Sequence, residues 1–234
     1  MNNTNNFSAR ESFAHAKNLF YNAMRDKFQS DTDCWNFVNS LKLSQSEVRL
    51  EVELNSANNL FTFAVNPQQA NTTNIKFPTE KRLELQDSLV ANEYGIYVCN
   101  PASREDVEFE LSTYANELAF SAAQAAAING TFYANGNFQV RCNNDVVAPY
   151  RGLLNHLYKP QTQQTAALAA GSPADQIRGA EDGMITMEPN LLLIGSKNYQ
   201  PQIVLPGALA TVATFTRAVI IFRGVLAQNS TIVN

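Results

Sequence analysis

The chain has 234 residues, of which 45% are hydrophobic and only 16% are charged. This hydrophobic share can build a packed core, which excludes wholesale disorder, and the length allows one large β domain or a smaller domain with an arm. The formal net charge of −4 argues against a nucleic-acid-binding surface, because such a surface needs clustered Lys and Arg. We therefore expect no direct contact with nucleic acid.

Amide side chains carry much of the polar surface. Asn and Gln together number roughly 40, which exceeds average usage. An amide-rich surface hydrogen-bonds readily and repels other copies weakly, so it suits a surface that partners cover. A general bias of the source genome toward Asn and Gln explains the same count equally well.

The first residues, "MNNTNNFSARESF", lack the apolar region of a secretory signal peptide. No window approaches the ~20 continuous apolar residues of a membrane span. Cys34, Cys99 and Cys142 are far apart and odd in number, so we predict reduced, mostly buried thiols in a protein made inside cells.

Residues 1–43 form a predicted helical arm. Ser8 and Glu11 match a capping box, and "DCWNFVNSL" predicts a second helix after the break at Ser30. Apolar residues recur at helical spacing in the first helix, at Phe13, Ala16, Phe20, Met24 and Phe28.

The apolar stripe of the arm has three interpretations. We predict that Phe13, Phe20, Met24 and Phe28 contact a neighbouring subunit. Packing against the chain's own main domain is the alternative. A helix on a membrane surface is disfavoured, because Lys and Arg do not dominate the polar face.

From Ser44 the hydrophobic period changes from 3.6 to 2. The segment "EVRLEVEL" alternates strictly and predicts a half-buried strand whose solvated face carries Glu51 and Glu53. The segment "EDVEFEL" repeats the pattern and predicts a second such strand, with Val107, Phe109 and Leu111 inward and Glu108 and Glu110 outward. "NLFTFAV" and "YGIYVCNP" predict further strands between them.

Several turns separate the later strands. Asn135-Gly136 is typical of a type I′ hairpin turn, and Asn143-Asn144 predicts a second turn, which together make a three-strand meander. "PNLLLIGS", "PQIVLPG" and "RAVIIFRGVLA" predict the last strands, with "GSKN" as a hairpin turn between the first two.

Eight to ten strands with few helices after residue 43 predict a mainly β fold without a βαβ rhythm. We expect a jelly-roll-like two-sheet β-sandwich at residues 44–234, preceded by the helical arm at residues 1–43. The length favours a jelly roll over an immunoglobulin-like domain of ~100 residues.

The sequence contains no familiar catalytic or cofactor motif. Neither His15 nor His156 has a partner at metal-ligand spacing, so we expect no enzyme activity, cofactor or metal. Asp175, Glu181 and Asp182 could coordinate calcium, but they lack the spacing of a calcium loop.

Paired carboxylates keep one enzymatic alternative open. A glycoside hydrolase needs two carboxylates across a cleft, and Glu51 with Glu53, or Glu108 with Glu110, are the candidates. Their strict alternation is typical of a solvated strand face instead.

A long segment from Tyr158 to Met184 has many Gln, Ala, Gly and Thr residues and little charge. A structureless loop of this length needs something to order it, and we predict a contact loop at Lys159–Asp182 that a neighbouring subunit orders. Its predicted contact residues are Tyr158, Gln161, Gln164, Leu168 and Ile177.

Three segments, "NNDVVAPYRGLLNHLYKPQTQQ", "EDGMITMEPNLLLIGSKNYQPQIVLPGALA" and "RAVIIFRGVLAQNS", together resemble small virion proteins of bacterial viruses. In those proteins a jelly-roll domain forms the capsid shell and an N-terminal arm tethers neighbours. The likeness lies in amide-rich loops and a Val- and Ile-rich end strand over residues 140–234.

The resemblance implies a shell-forming structural protein without a catalytic site. It would assemble with copies of itself and with other virion proteins, in a virion made in the host cytoplasm. The arm lacks the basic run of arms that contact a genome, which agrees with the expectation of no nucleic acid contact.

The alternative is a β-sandwich that binds a receptor or glycan, such as a fibre or spike tip. Such a module needs exposed aromatic platforms, for which the candidates are Tyr94, Tyr97, Tyr133, Tyr150, Tyr158 and Tyr199.

Overall fold

The structure is a computed structural model that describes residues 9–55, 57–115, 119–143, 145–157, 183–209, 212 and 214–230. These residues form three α-helices and eight β-strands. The helices are α1 (Ala9–Met24), α2 (Asp31–Ser40) and α3 (Ala122–Ala127), and α3 continues as a π-helix (Ile128–Tyr133). The strands are β1 (Lys42–Glu53), β2 (Leu60–Thr62), β3 (Ser88–Cys99), β4 (Asn137–Cys142), β5 (Asp145–Gly152), β6 (Met184–Ile194), β7 (Tyr199–Val204) and β8 (Arg217–Gln228).

The eight strands form two antiparallel sheets of four. Sheet one has the order β1-β8-β3-β6 and sheet two the order β2-β7-β4-β5. The first strand pairs with the last, β2 with β7, β3 with β6 and β4 with β5, as in one long antiparallel ribbon. Rolling this ribbon also pairs β8 with β3 and β7 with β4. This is the topology of a jelly roll, and the predicted two-sheet β-sandwich is confirmed.

The core lies between the two sheets. Strict alternation turns one side of β1 inward, so that Val48, Leu50 and Val52 pack against sheet-two residues such as Phe61 and Ile203. These side chains are at most 3% exposed. Burying apolar area on both inner faces is what holds the two sheets together.

The predicted arm helices are present. Ser30 caps α2, where its hydroxyl accepts a hydrogen bond from the Asp33 amide at 3.1 Å. The Ser8 half of the predicted capping box lies outside the described residues.

Two strand predictions were wrong. The segment "EDVEFEL" is not a strand: Val107 is 57% exposed, and the first ladder contact comes at the isolated bridge of Ser112 with Val98. The residues before Gly136 are helical rather than extended, so Asn135-Gly136 is not a hairpin turn. The missed signal was the capping box of Ser121 with Gln124 ahead of an alanine-rich run.

Two turn predictions had different outcomes. A turn does connect β4 and β5, and Asn143 adopts the positive φ of 57° that asparagine tolerates. Asn144 lies outside the described residues. The "GSKN" turn is not a hairpin, because β6 belongs to sheet one and β7 to sheet two.

Candidate functional site

The outer side of sheet one is covered at one end by the arm. Phe20 and Met24 of α1 pack with Val38 of α2 on Val90 and Val225 of the sheet. Phe20 is 0% and Met24 4% exposed, while Phe13 and Phe28 are half-buried against the same cluster. These predicted contact residues therefore lie against their own sandwich, and whether they also meet a neighbour stays a prediction.

The other end of this outer side contains a buried ion pair that sequence analysis missed. Glu51 of β1 and Arg217 of β8 are diagonal neighbours in the ladder and lie 3.1 Å apart, and both side chains are 0% exposed. The second oxygen of Glu51 accepts hydrogen bonds from Arg49 Nε at 2.8 Å and from Thr79 Oγ1 at 2.6 Å. The prediction that Glu51 lies on a solvated face was wrong, because two long connections fold over this part of the strand.

Arg217 joins these connections to the sheet. Its guanidinium carbon lies 4.1 Å from the ring centroid of Phe77 and 5.0 Å from that of Phe109. Its Nη2 donates to the carbonyl oxygens of Ser103 at 3.0 Å and Arg104 at 2.7 Å. The segments before β3 and after it are thus tied to β8 by one side chain.

The carboxylate candidates for hydrolysis are arranged differently from the prediction. Glu53 is ion-paired with Arg104 at 2.9 Å, and Glu51 is held by the two arginines. Glu108 and Glu110 are exposed on an irregular segment rather than on a strand. Neither predicted pair therefore spans a cleft from one strand face.

A third carboxylate belongs to the same buried region. Glu80 is paired with Arg82 at 2.9 Å, with their side chains 0% and 8% exposed. Burial raises the pKa of Glu80, although Arg82 beside it acts in the opposite direction.

The outer side of sheet two has a different character. Both apolar clusters outside the core lie on sheet one, and the described residues place no such cluster on the outer side of sheet two. Ladder pairing and alternation direct one set of side chains outward there. We call this set the amide face: Leu60, Thr62, Asn137, Gln139, Arg141, Val146, Gln200, Gln202 and Val204.

A row of amides crosses the middle of the amide face. Gln139 Nε2 donates to Gln202 Oε1 at 2.9 Å, and Gln202 Nε2 donates to Thr62 Oγ1 at 3.4 Å. The row spans β4, β7 and β2 and holds these side chains in place. The sequence signal for it was the alternation of polar residues in "NFQVR" and "YQPQIV".

Exposed apolar side chains concentrate at the same sheet. Among the described residues, the exposed large apolar side chains are Leu60, Val107, Val146, Val147 and Leu154. All except Val107 lie in sheet two or in the short helix (Leu153–His156) that follows its edge strand β5. Leu60 lies on the edge strand β2, and Val146 and Val147 lie on the opposite edge strand β5, so these side chains flank the sheet on both sides.

His156 forms a buried pair with Tyr94 near the β5 edge. His156 Nε2 lies 3.2 Å from Tyr94 Oη, and the two residues are each 2% exposed. Burial, together with the positive charge of Arg151, lowers the pKa of His156 to about 4. Burial also raises the pKa of Tyr94, so both groups are neutral at pH 7.

The imidazole of His156 is incompletely bonded. Its Nδ1 is buried without a hydrogen-bond partner. An ordinary, partly buried histidine was predicted at this position, but His156 is only 2% exposed.

The predicted tyrosine platforms are mostly part of the core. Tyr94, Tyr97, Tyr133 and Tyr199 are at most 5% exposed, so their rings cannot stack on a sugar. The side chain of Tyr150 and all of Tyr158 lie outside the described residues.

The three cysteines are free thiols, of which Cys34 and Cys99 are buried, as predicted. Burial raises the pKa of Cys99 to about 12.

The predicted contact loop lies outside the described residues. This applies to Tyr158, Gln161, Gln164, Leu168 and Ile177, and equally to the calcium candidates Asp175, Glu181 and Asp182. Within the described ranges, no group of three or more His, Cys, Asp or Glu residues could hold a metal ion. No helix of these ranges is long and apolar enough to cross a membrane.

No protein-family model matches the chain, and no curated protein matches it significantly.

Proposed function

We propose that the protein is a self-assembling structural subunit of a virion shell, of the kind that bacterial viruses build from jelly-roll domains. In this proposal the amide face is the main contact with neighbouring copies, and the protein resides in the virion. Jelly rolls also occur in lectins and cupins, so the fold supports the proposal by analogy alone. The observation that carries it is the amide face.

A second copy of the chain is the partner that this face fits. Gln202 is only 7% exposed, so the amides that a second copy would reach are those of the half-buried Gln139 and Gln200. Each glutamine amide offers both donors and an acceptor, so these side chains can pair with their own copies across a twofold axis. Arg141 is the single charged residue of the face, and a copy therefore meets little like-charge repulsion.

Apolar contacts supply the rest of the favourable free energy of association. Leu60 and Val146 are 42% and 54% exposed at opposite edges of the face, and the exposed Val147 and Leu154 lie at and beyond the β5 edge. Stable interfaces bury ~1,200 Å² or more in total, which requires the whole face rather than the amide row alone. The arm and the predicted contact loop would add neighbours around the rim.

Val146→Glu tests the proposal, with Val107→Glu as the matched control. The two valines are 54% and 57% exposed, but Val107 lies on the irregular segment beside sheet one. Sedimentation velocity and negative-stain microscopy over a range of concentrations measure assembly. We expect wild type and Val107→Glu to assemble, and Val146→Glu to require at least roughly ten times more protein, because burying a carboxylate in the interface costs desolvation free energy even with Arg141 as its register neighbour.

A wild-type chain that stays monomeric at every concentration would refute self-assembly. Equal assembly of the two variants would refute the role of the amide face.

A further inference from the structure

The pairing of β3 with β6 in sheet one is irregular on both strands at the same level. On β3 and β6, Glu93 pairs with Thr186 and Ala91 pairs with Leu191. Asn92 alone on β3 is therefore opposite the four β6 residues 187–190. The pairing of β3 with β8 also shifts at Asn92. A bulge of this kind turns two consecutive side chains to the same side.

The bulge in β3 places polar groups on the outer side of the sheet. Ala91 and Tyr94 both belong to the core cluster, whereas Asn92 and Glu93 between them line a cleft on the outer side. Without the bulge, one of these two side chains would point into the core.

The cleft lies between these bulges and helix α1. It has a volume of about 70 Å³, which is room for roughly five water molecules. Its polar lining residues are Ser12, His15, Asn92, Glu93, Thr186, Glu188 and Asn190, and its apolar lining residues are Val90, Met187 and Val225.

The polar lining is rich in hydrogen-bond acceptors and negative charge. Glu93 and Glu188 contribute carboxylates, and the part of the chain that the structure describes places no Lys or Arg in the lining. Arg223, the register neighbour of Glu93 on β8, has Glu47 as an ion-pair partner at 3.8 Å.

Asn92 adds an unsatisfied acceptor. Its Oδ1 is buried without a hydrogen-bond partner, and such an atom is costly to leave unpaired. A donor brought by a ligand would satisfy it.

We propose that this cleft binds a primary ammonium group on a short alkyl chain, from a free diamine or from a lysine side chain. An ammonium offers three donors and a positive charge, which match the acceptors and carboxylates. Val90, Met187 and Val225 suit the methylene chain behind the charge and disfavour a hydrated inorganic cation. This site does not depend on the proposed shell function.

Isothermal titration calorimetry and thermal shift on the full chain at pH 8 test the site. The probes are 1,4-diaminobutane and Nα-acetyl-lysine amide, with 1,4-butanediol as a neutral analogue and calcium chloride as an inorganic cation. Glu93→Gln is the test variant, and Glu108→Gln, an exposed carboxylate on another surface, is the control.

We expect at least one ammonium probe to bind, with affinity at least tenfold weaker in Glu93→Gln and unchanged in Glu108→Gln. Stronger binding of the diamine would identify a free amine as the ligand, and stronger binding of the lysine amide a polypeptide lysine. If Glu93→Gln does not fold, the exposed Glu188→Gln replaces it.

Three results would overturn the proposal: no binding of either ammonium probe, equal binding of butanediol, or equal affinity in Glu93→Gln and Glu108→Gln. Calcium binding that excludes both amines would do the same.

Discussion

Acid should destabilise the protein through one histidine. The pKa of His156 is lowered from 6.5 to about 4 in the folded chain, mainly by burial. Between these two pH values the unfolded chain binds the proton more readily, so stability falls as the pH decreases. One pKa unit corresponds to ~1.4 kcal/mol, which predicts a loss of about 2 kcal/mol at pH 5 and about 3 kcal/mol at pH 4.

The perturbation is His156→Gln, which removes the titrating ring and keeps a polar atom in reach of Tyr94. At pH 7.5 we expect the variant to be about 1–2 kcal/mol less stable than wild type, because the ring contact with Tyr94 at 4.8 Å is lost. At pH 4.5 this difference in stability should vanish or reverse, because only the wild type loses stability when its unfolded chain binds a proton at His156.

Urea denaturation at several pH values between 4.5 and 7.5 measures this difference. Taking wild type minus variant removes the contributions of other groups, including Glu80, whose raised pKa favours the folded state as the pH falls. His15→Gln is the control, because His15 is exposed and is the other histidine of the chain. A difference between wild type and His156→Gln that does not change with pH would refute this reasoning.

Three further predictions concern stability and are checked by urea denaturation. Arg217→Met should cost about 3 kcal/mol, because Arg49 still holds one oxygen of the buried Glu51 carboxylate while the other loses its donor. Arg25→Met, at the exposed ion pair of Arg25 with Asp31, should cost far less; equal costs would contradict the buried network. Gly224→Ala should destabilise strongly, because a Cβ would lie 1.9 Å from a β3 carbonyl oxygen, whereas Gly130→Ala has open space and should stabilise by about 0.5–1 kcal/mol. Phe20→Ala should cost about 3–5 kcal/mol, and a cost below 1 kcal/mol would show that the arm is not packed on the sandwich.

The hydrophobic pattern correctly predicted the helices and strands whose buried residues recur at the period of the element. The alternation of "EVRLEVEL" and the helical stripe from Phe13 to Met24 were correctly assigned, but Phe28, the predicted last member of the stripe, lies beyond the helix in extended backbone. The same rule failed at "EDVEFEL", where alternation occurs without a ladder partner. Alternation shows which side chains share a face, and it does not show whether another strand pairs with that segment.

The candidate surfaces were less predictable than the elements. The amide content suggested a partner-covered surface, but the assembly of Thr62, Gln139 and Gln202 into one row needed the pairing of β2, β7 and β4. The cleft depends on bulges in two strands that are about 95 residues apart in sequence, which no local period encodes.

The class of fold can be predicted from the sequence, because two-residue periodicity, turn residues and a helical arm are local properties of the chain. The sequence also determined the low charge and the high amide content of the surface. The environment of each polar group, in contrast, depends on contacts between segments that are distant in sequence. Glu51 was expected in solvent and is buried because connections distant in sequence cover it. His156 packs against Tyr94 of β3, which is 62 residues away in sequence.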